Sequence, residues 1–313
     1  MLDAAGDRWP SQQLELMRAA GVYRWFISVE QGGCGWSNRD LAEAYVRMSS
    51  ACLSSAFILT QRVAALKRIA LSPKASIRAR LLPGFLTGEQ TATVGISHLT
   101  TSRRHTEPAM EFRQRGQGGF VLNGFCPWVT GANDVTRVVV GAENEDGQQI
   151  LAAVLVSSLG VTIDAGFDLI ALGDTHTGAV RMNDVLVAEE DIIAGPIKDV
   201  LASLGSVSTG SFQTSALALG LTDSAIEYLE GETVNRPDLQ PSTEALRAQY
   251  VSLLAMLSDA ADGHPVCTNE ELRRDANSLV LRATQAAMVA AKGAGFMAGH
   301  PVGRWCREAM FFL

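Results

Sequence analysis

Residues 118–131 have the sequence GGFVLNGFCPWVTG. The alternation of apolar and other side chains over this stretch is typical of β-strands. It places Phe120, Leu122, Trp128 and Thr130 on one face and Val121 and Val129 on the other. An Asn-Gly step such as Asn123-Gly124 is the strongest short-range hairpin signal, because both residues tolerate a positive φ. The stretch is therefore predicted to form a β-hairpin of two short antiparallel strands.

Trp128 and Thr130 allow two interpretations of this hairpin. An indole face and a hydroxyl on one strand can line a site for a flat, heteroaromatic ligand, since the ring stacks and the hydroxyl fixes its orientation. Alternatively, Trp128 packs into the core of an ordinary hairpin. The strand alone favours the second interpretation.

The hydrophobic pattern of the chain changes twice. Helical spacing dominates the first third, period-two runs begin at about Thr91, and helical spacing returns from about Ala202. We therefore expect an α+β protein with an N-terminal helical domain (1–90), a middle antiparallel β-barrel or sandwich (91–197) and a C-terminal helical bundle (198–313). Helices are predicted over 11–22, 38–50, 52–71, 73–86, 201–231, 243–261 and 269–293. Strands are predicted over 91–96, 110–115, 119–122, 128–130, 137–142, 150–156, 161–163 and 178–187.

Three residues mark the ends of predicted helices. Ser37 is a suitable N-cap for the helix over 38–50, because its hydroxyl can accept a hydrogen bond from a free backbone N–H. Gly21 and Gly88 each follow a helical run and are expected to end it. The small residues of 201–231 suit close packing between helices.

Composition narrows the class of protein. The chain has 313 residues, a net charge of −7 and a pI near 5.3. Nucleic-acid binding requires clustered Lys and Arg, so these values argue against it. Five scattered cysteines form no Cys-x-x-Cys pair, so we expect reduced thiols, no metal site and a cytoplasmic location. Residues 1–4 lack a signal-peptide pattern, and the interrupted apolar run 278–297 indicates a buried helix and no membrane partner.

Four stretches, in order along the chain, resemble motifs of the acyl-CoA dehydrogenase family of flavoproteins. Residues 19–36 (AAGVYRWFISVEQGGCGW) are similar to the family's AAGLF…PEEYGGxG segment, and residues 119–131 are similar to GYxLNGxKxWITN. Residues 172–196 (LGDTHTGAVRMNDVLVAEEDIIAGP) resemble RxSDTxxxxFxDVxVPxENxL, and residues 290–308 (AAKGAGFMAGHPVGRWCRE) resemble QxxGGxGFxxxxPVxRxxRDA. The resemblance implies the three-part fold predicted above.

The resemblance also implies a cofactor and a substrate: FAD, with FMN as the alternative, and a small molecule that is an acyl-CoA. By their positions in the motifs, Trp128 would flank the flavin ring and Thr130 would form a hydrogen bond with its reactive edge. Val129, which lies between them, is also expected to contact the flavin. Ile96 and Ser97 match a strand end that offers backbone and hydroxyl groups to the flavin. Such groups stabilise the reduced flavin anion. A homodimer or homotetramer is implied, in which a neighbouring subunit completes the flavin site.

The catalytic base stays unassigned by this resemblance. Dehydrogenation of an acyl thioester needs a carboxylate that removes the α-proton while flavin N5 accepts the β-hydride. The family places this Glu either just after the last motif, beyond the given sequence, or at a position that aligns near Gly210. Glu227 and Glu230 lie farther along that predicted helix, where a solvated helix face is the better interpretation. His300 is a weak candidate, since some monooxygenases of this fold use a histidine there; a loop residue is the alternative.

Two further regions depart from the family pattern. The loop with His98, Arg103 and Arg104 replaces the family's TEPxxGSD stretch and is locally basic, so it could contact a phosphate of CoA or FMN. A solvated loop is the more ordinary interpretation. Arg236 and Gln240 are weak substitutes for the residues that hold a neighbour's dinucleotide.

Three functions remain open from the sequence. The first is a flavin-dependent oxidoreductase that carries out α,β-dehydrogenation of an acyl-CoA-like thioester. The second is a flavin-dependent monooxygenase of the same fold, which the unassigned base favours. The third is a catalytically degenerate homologue that keeps the fold and the oligomer and binds without turnover.

Overall fold

The computed structural model describes residues 9–100, 110–116, 118–205 and 212–313. Helices come first, an eight-stranded sheet follows, and helices return. The first helices are α1 (Ser11–Ala19), α2 (Val22–Trp25), α3 (Asn38–Ala51), α4 (Leu53–Ala70) and α5 (Ala75–Thr87). The strands are β1 (Ala92–Gly95), β2 (Met110–Gln114), β3 (Phe120–Val129), β4 (Arg137–Glu143), β5 (Gln149–Leu155), β6 (Val161–Ile163), β7 (Gly178–Val187) and β8 (Ile192–Ile197). The last helices are α6 (Val200–Ser203), α7 (Gln213–Thr233), α8 (Gln240–Ala261), α9 (Asn269–Ala291) and α10 (Pro301–Ala309). The predicted α+β class is confirmed.

Local signals set several helix ends as predicted. Ser37 caps α3 in a capping box: its hydroxyl accepts a hydrogen bond from the Asp40 N–H at 3.1 Å, and the Asp40 carboxylate accepts one from the Ser37 N–H at 3.2 Å. Gly88 ends α5 with a φ of +72°. Gly21 has a φ of +68° and separates α1 from α2, so the helix predicted over 11–22 is two short helices.

The sheet is mostly antiparallel. Its strand order is β6-β7-β3-β2-β4-β5-β8, and β1 also pairs with β4. β1 and β4 are parallel, and β2 meets β4 in parallel at the pair Glu111 and Glu143. β8, which pairs antiparallel with β5, was not predicted from the sequence.

The predicted hairpin at Asn123-Gly124 is wrong, because β3 is one continuous strand. It pairs with β2 from Phe120 to Gly124 and with β7 from Phe120 to Val129. The Asn123 amide forms two hydrogen bonds with Asp184 on β7, at 3.0 Å to its carboxylate and at 2.9 Å from its N–H. Pairing on both sides of the strand therefore overrides the local turn signal.

Two irregularities interrupt the pairing of β3 with β7, and one of them changes which side chains of β3 face inward. They lie between Leu122 and Gly124 and between Cys126 and Val129. The first places its extra residue in β7, whereas the second places it in β3, where three steps from Cys126 to Val129 face two steps of β7. Only the second therefore shifts the alternation of β3 by one residue, as a β-bulge does. Val129 consequently shares the buried face of Phe120 and is fully buried, whereas Trp128 is 53% exposed. The predicted common face of Phe120 and Trp128 is therefore wrong.

The helices before and after the sheet share one hydrophobic core. It contains residues of α2 to α5 together with residues of α7, α8 and α9, and it reaches one face of the sheet. A second core lies within the strands. Helices α3 and α7 cross closely, since the Ser49 hydroxyl donates to the Leu217 carbonyl at 2.7 Å and the hydroxyls of Ser50 and Ser224 lie 3.0 Å apart. Among the helices described, none is both long and apolar enough to cross a membrane.

Burial of the Cys126 thiol is expected to make the free energy of unfolding fall at alkaline pH. Its thiol donates to the Gly95 carbonyl at 3.2 Å, and complete burial raises the pKa of Cys126 to about 12. An unfolded cysteine has a pKa of about 8.5, so the unfolded state alone loses this proton above that pH. The resulting stabilisation is complete below about pH 8.5 and is lost towards about pH 12, at about 1.4 kcal/mol per pH unit.

We therefore expect the free energy of unfolding to fall less steeply with pH in Cys126→Ala than in the unaltered protein. Between pH 8 and pH 10 the two losses should differ by about 2 kcal/mol, measured by urea unfolding. Cys34, which is exposed, provides the matched control, because Cys34→Ala should leave the slope unchanged. Equal slopes for Cys126→Ala and the unaltered protein would contradict this account of the thiol.

Candidate functional site

The ends of β1 and β3 lie side by side. Besides the hydrogen bond from Cys126 to the Gly95 carbonyl, a Cβ atom at Gly95 would lie 2.9 Å from the Cys126 sulfur and 3.2 Å from a methyl of Val129. A side chain at Gly95 is therefore excluded by the neighbouring strand. This close approach brings Ile96 and Ser97, which follow β1, next to the end of β3.

Thr130 belongs to a chain of buried hydroxyl groups. It is 6% exposed, and its hydroxyl lies 2.9 Å from that of Thr177. The Thr177 hydroxyl lies 2.8 Å from that of Thr175, which donates to the Leu172 carbonyl at 2.7 Å. This chain fixes the position of the Thr130 oxygen, and the two other threonines were not identified from the sequence.

Trp128 presents a partly open indole beside this chain. Its ring packs edge-on against Phe167, with the ring centroids 4.8 Å apart. More than half of the Trp128 surface stays exposed, so the side chain is not buried in the core. Of the two interpretations drawn from the sequence, packing into the core does not agree with this exposure, and contact with a ligand stays a prediction.

Ser97 and its neighbours differ in the groups they can offer. The Ser97 hydroxyl is buried and has no hydrogen-bond partner in the described part of the chain. Ile96 and Val129 have apolar, buried side chains. The only polar groups that they can offer at this edge are those of their backbone. His98 is buried, and its Nε2 lies 2.8 Å from the Gly141 carbonyl, which fixes the turn after β1 onto β4. Arg103 and Arg104 lie outside the described residues, so phosphate contacts for this loop remain predictions.

Trp9, His176 and Asp134 form a cluster around Gly131, directly after Thr130. The rings of Trp9 and His176 lie 5.3 Å apart, and the His176 Nδ1 lies 3.9 Å from the Asp134 carboxylate. Burial raises the pKa of Asp134, and the charges of His176 and Arg62 oppose that shift. A Cβ atom at Gly131 would collide with Trp9. The cluster therefore holds the end of this strand, and no sequence motif pointed to Trp9.

Two cavities on described residues lie elsewhere. One of about 600 Å³ opens beside Trp25 and Trp36, and one of about 640 Å³ lies near Thr268 at the start of α9. Neither is lined by Trp128 or Ser97. The site at the ends of β1 and β3 therefore rests on its polar groups and its open indole.

Comparison with known proteins agrees with the motifs. No family model matches the chain. The probable acyl-CoA dehydrogenase YngJ of Bacillus subtilis (strain 168) is 25% identical over 98% of this chain and 86% of its own length. Mitochondrial isovaleryl-CoA dehydrogenase of Oryza sativa subsp. japonica is 23% identical over 75% of this chain, which spans only 62% of that protein.

Solved structures show the same fold. Butyryl-CoA dehydrogenase from Megasphaera elsdenii superposes with a TM-score of 0.81, covering 97% of this chain and 85% of that one at 17% identity. This chain is similar to acyl-CoA dehydrogenase-family proteins over most of its length. The family fold also includes dibenzothiophene monooxygenase TdsC from Paenibacillus sp. A11-2, whose complex with FMN and indole superposes with a TM-score of 0.81 at 18% identity. That match covers 96% of this chain and 86% of that one.

The acyl-CoA dehydrogenase family binds flavins, and the residues of this site fit one. A flavin needs a flat apolar partner for its ring and hydrogen-bond donors for its polar edge. The half-open indole of Trp128 meets the first need. The hydroxyl of Ser97, which is buried and has no partner among the described residues, and the fixed hydroxyl of Thr130 meet the second, because a buried hydroxyl without a partner is costly.

His300 has a structural role at the start of α10. It is the N-cap of α10, where its Nδ1 accepts a hydrogen bond from the Val302 N–H at 3.4 Å. Its ring lies edge-on to Tyr228, with the centroids 5.9 Å apart. These contacts agree with the loop-and-cap interpretation, and a catalytic role for His300 stays a prediction.

The carboxylates of α7 face solvent. Glu227 and Glu230 are exposed, and Glu230 pairs with Arg247 at 2.8 Å. Arg247 also pairs with Asp223 at 2.6 Å, which further fixes it on this surface. The solvated-face interpretation of Glu227 and Glu230 is therefore the better one, and Gly210 lies outside the described residues.

Two weak substitutes for dinucleotide-holding residues have local partners. Arg236 donates to the Ala290 carbonyl at 2.9 Å, and Gln240 donates to Glu244 at 2.8 Å. The Arg236 contact joins the segment before α8 to α9, and the Gln240 contact lies within the first turn of α8. A role for either residue in a neighbouring subunit's flavin site remains a prediction.

Proposed function

We propose that this protein is a flavin-dependent oxidoreductase that carries out α,β-dehydrogenation of an acyl-CoA-like thioester. The observation that carries the proposal is the convergence of Ser97, Thr130 and Trp128 where β1 and β3 end. The relatives named acyl-CoA dehydrogenase support the reaction type. FAD is the proposed cofactor, and FMN is the alternative.

Each residue of the site has a defined task in this proposal. Trp128 offers its open face to the flavin ring, and Thr130 offers a hydroxyl whose position the Thr177 bond fixes. Ser97 donates its hydroxyl, for which the described residues hold no partner, while the backbone groups of Ile96 and Val129 complete the edge. A bound flavin supplies the acceptor for the substrate hydride. Donors held in place before the reaction stabilise negative charge without reorganisation.

A monooxygenase of the same fold is the second candidate. The likeness to TdsC in its complex with FMN favours it. In this version His300 acts near reduced flavin and oxygen, and no carboxylate base is needed. Flavin that binds only in its reduced state is the distinguishing property.

The assembly and location of the protein are also proposals. The resemblance supports a homodimer or homotetramer in which a neighbouring subunit completes the flavin site. The acidic net charge and the scattered cysteines support a cytoplasmic protein without a nucleic-acid partner.

The visible absorption spectrum tests these alternatives directly. Purified protein is mixed with FAD or FMN, freed of unbound flavin and titrated without oxygen against a panel of acyl-CoA thioesters. Bound oxidised flavin that bleaches with a thioester supports the dehydrogenase. Flavin that binds only when reduced supports the monooxygenase, and no uptake in either state leaves a non-catalytic homologue.

Replacement of Trp128 by alanine should weaken flavin binding by about 5- to 150-fold. Loss of an aromatic partner for a stacked heterocycle costs about 1–3 kcal/mol. Fluorescence titration with FAD and FMN measures the affinity. Trp36→Ala is the matched control, since Trp36 is also partly exposed and stacks on Trp25 at 4.1 Å, away from the site. Equal losses in both variants would show that Trp128 does not contact the flavin.

A further inference from the structure

Residues 175–177 connect both halves of the proposed flavin site. The Thr177 hydroxyl lies 2.9 Å from the Thr130 hydroxyl, and the Thr177 carbonyl accepts a hydrogen bond from the Phe167 N–H at 2.8 Å. Phe167 in turn packs edge-on against the open indole of Trp128. One short segment therefore sets the position of both the hydroxyl and the ring that are assigned to the flavin.

His176, in the middle of this segment, has an uncommon backbone conformation. Its φ is +45°, in the left-handed region that residues other than glycine seldom adopt. It follows the 3-10 turn Gly173–Thr175, and its N–H donates to the Gly173 carbonyl at 3.1 Å. Because such a conformation is unfavourable on its own, it persists only where the surrounding contacts hold it.

Three contacts hold His176. Its carbonyl accepts a hydrogen bond from the N–H of Gly131, the residue after Thr130, at 3.4 Å. The centre of its ring lies 5.3 Å from that of Trp9, and its Nδ1 lies 3.9 Å from the Asp134 carboxylate. All of these partners are distant from His176 in the sequence, so its ring and its carbonyl tie the segment to other parts of the chain.

Arg62 holds the two side-chain partners of His176 against helix α4. Its guanidinium carbon lies 5.9 Å from the centre of the Trp9 ring, as in a cation–π contact. Its Nη2 donates to the Asp134 carbonyl at 3.3 Å, and its Nη1 donates to the Tyr23 hydroxyl at 2.8 Å. Trp9 and Asp134 are therefore anchored to the N-terminal helices.

We propose that His176 is a positioning residue of the flavin site. Its side chain, held by Trp9 and Asp134, keeps the surrounding segment in its left-handed turn. That segment in turn fixes the hydroxyl of Thr130 and the indole of Trp128. This inference rests on the proposed function, because both groups are assigned there to a bound flavin. His176 itself takes no part in the bond changes.

Amide hydrogen exchange of the flavin-free protein tests the first half of the inference. Trp9→Ala should speed exchange of the Phe167 amide by at least about tenfold, because its hydrogen bond to Thr177 loses support. His176→Asn should do the same, since asparagine tolerates the left-handed conformation but lacks the ring that contacts Trp9. Unchanged exchange in both variants would overturn the inference.

The affinity and the absorption spectrum of bound flavin test the second half. Trp9→Ala and His176→Asn should each bind FAD or FMN about tenfold more weakly than the unaltered protein. The absorption bands of the bound flavin should also shift, because its hydrogen-bond donors and its stacking partner have moved. The double variant should lose no more affinity than either single variant, since both act through one contact. Losses that multiply would assign the two residues independent effects and overturn the inference.

Trp25→Ala is the matched control. Trp25 is also partly buried among the N-terminal helices, but it stacks on Trp36, with ring centroids 4.1 Å apart. Its replacement should leave the Phe167 exchange rate and the flavin affinity within about threefold of the unaltered protein. Trp9→Phe keeps a ring beside His176 and should restore most of both. Equal losses in Trp9→Ala and Trp25→Ala would contradict the inference, because general destabilisation would then explain them.

The same measurements separate this inference from the proposed function. Flavin uptake that does not respond to Trp9→Ala or His176→Asn overturns the inference and leaves the proposed function standing. No flavin uptake by the unaltered protein overturns both, whatever the exchange rates are.

Discussion

Replacement of Gly220 by alanine is expected to lower the free energy of unfolding by about 3 kcal/mol. Gly220 lies on α7 where it crosses α3, and a Cβ atom there would lie 2.6 Å from the Ser49 Cβ and 2.8 Å from the Ser50 backbone N. It would also collide with the Val46 carbonyl oxygen. Because the nearest atoms belong to the backbone, the helices must move apart and their hydroxyl contacts are strained. Urea unfolding monitored by circular dichroism measures the change.

Gly231→Ala is the control for this prediction. Gly231 lies on the same helix, is exposed, and has no atom within 4 Å of an added Cβ. Its replacement should stabilise the protein by about 0.5–1 kcal/mol, since alanine favours the helix. Similar effects of the two substitutions would show that helix propensity, and not the close crossing, determines the result.

Gly95→Val is expected to reduce flavin affinity by at least about 100-fold. A side chain at Gly95 meets the Cys126 sulfur and a methyl of Val129, so β1 must move away from β3. Ser97 and Thr130 would then no longer share one edge, although neither residue is altered. Titration with FAD and FMN measures the affinity, and far-ultraviolet circular dichroism checks that the protein remains folded.

Gly116→Val supplies the comparison for this second prediction. Gly116 is in the turn between β2 and β3, and an added Cβ there meets no atom within 4 Å. Its flavin affinity should stay within about threefold of the unaltered protein. If folded Gly95→Val protein binds flavin normally, the spacing of the two strands does not position the site.

Features that depend on neighbouring residues in the sequence were predicted well. The N-cap at Ser37 and the left-handed Gly88 follow from local backbone chemistry: Ser37 begins α3 and Gly88 ends α5, both as predicted. The turn at Asn123 failed because its partners come from β2 and β7, which lie elsewhere in the sequence. β8 was missed for a related reason: its short run gains its hydrogen bonds from β5, about forty residues earlier.

The candidate site was likewise predicted where local motifs determine it and missed where distant residues do. The motifs pointed to Ser97, Thr130 and Trp128, and the structure places all three near the ends of two strands. The sequence could not reveal that Trp128 turns outward, since that depends on the bulge in β3 between Cys126 and Val129.

The crossing of α3 and α7 has a consequence for synthesis on the ribosome. Ser49 and Leu217, which bond there, are separated by 168 residues. At typical elongation rates, roughly ten to thirty seconds pass between their emergence. During that interval the apolar surface of the N-terminal helices that packs on α7 lacks this partner, and exposed apolar surface makes a nascent chain prone to aggregate. Mutations that weaken α7 should therefore reduce the yield of folded protein in the cell more than its melting temperature indicates.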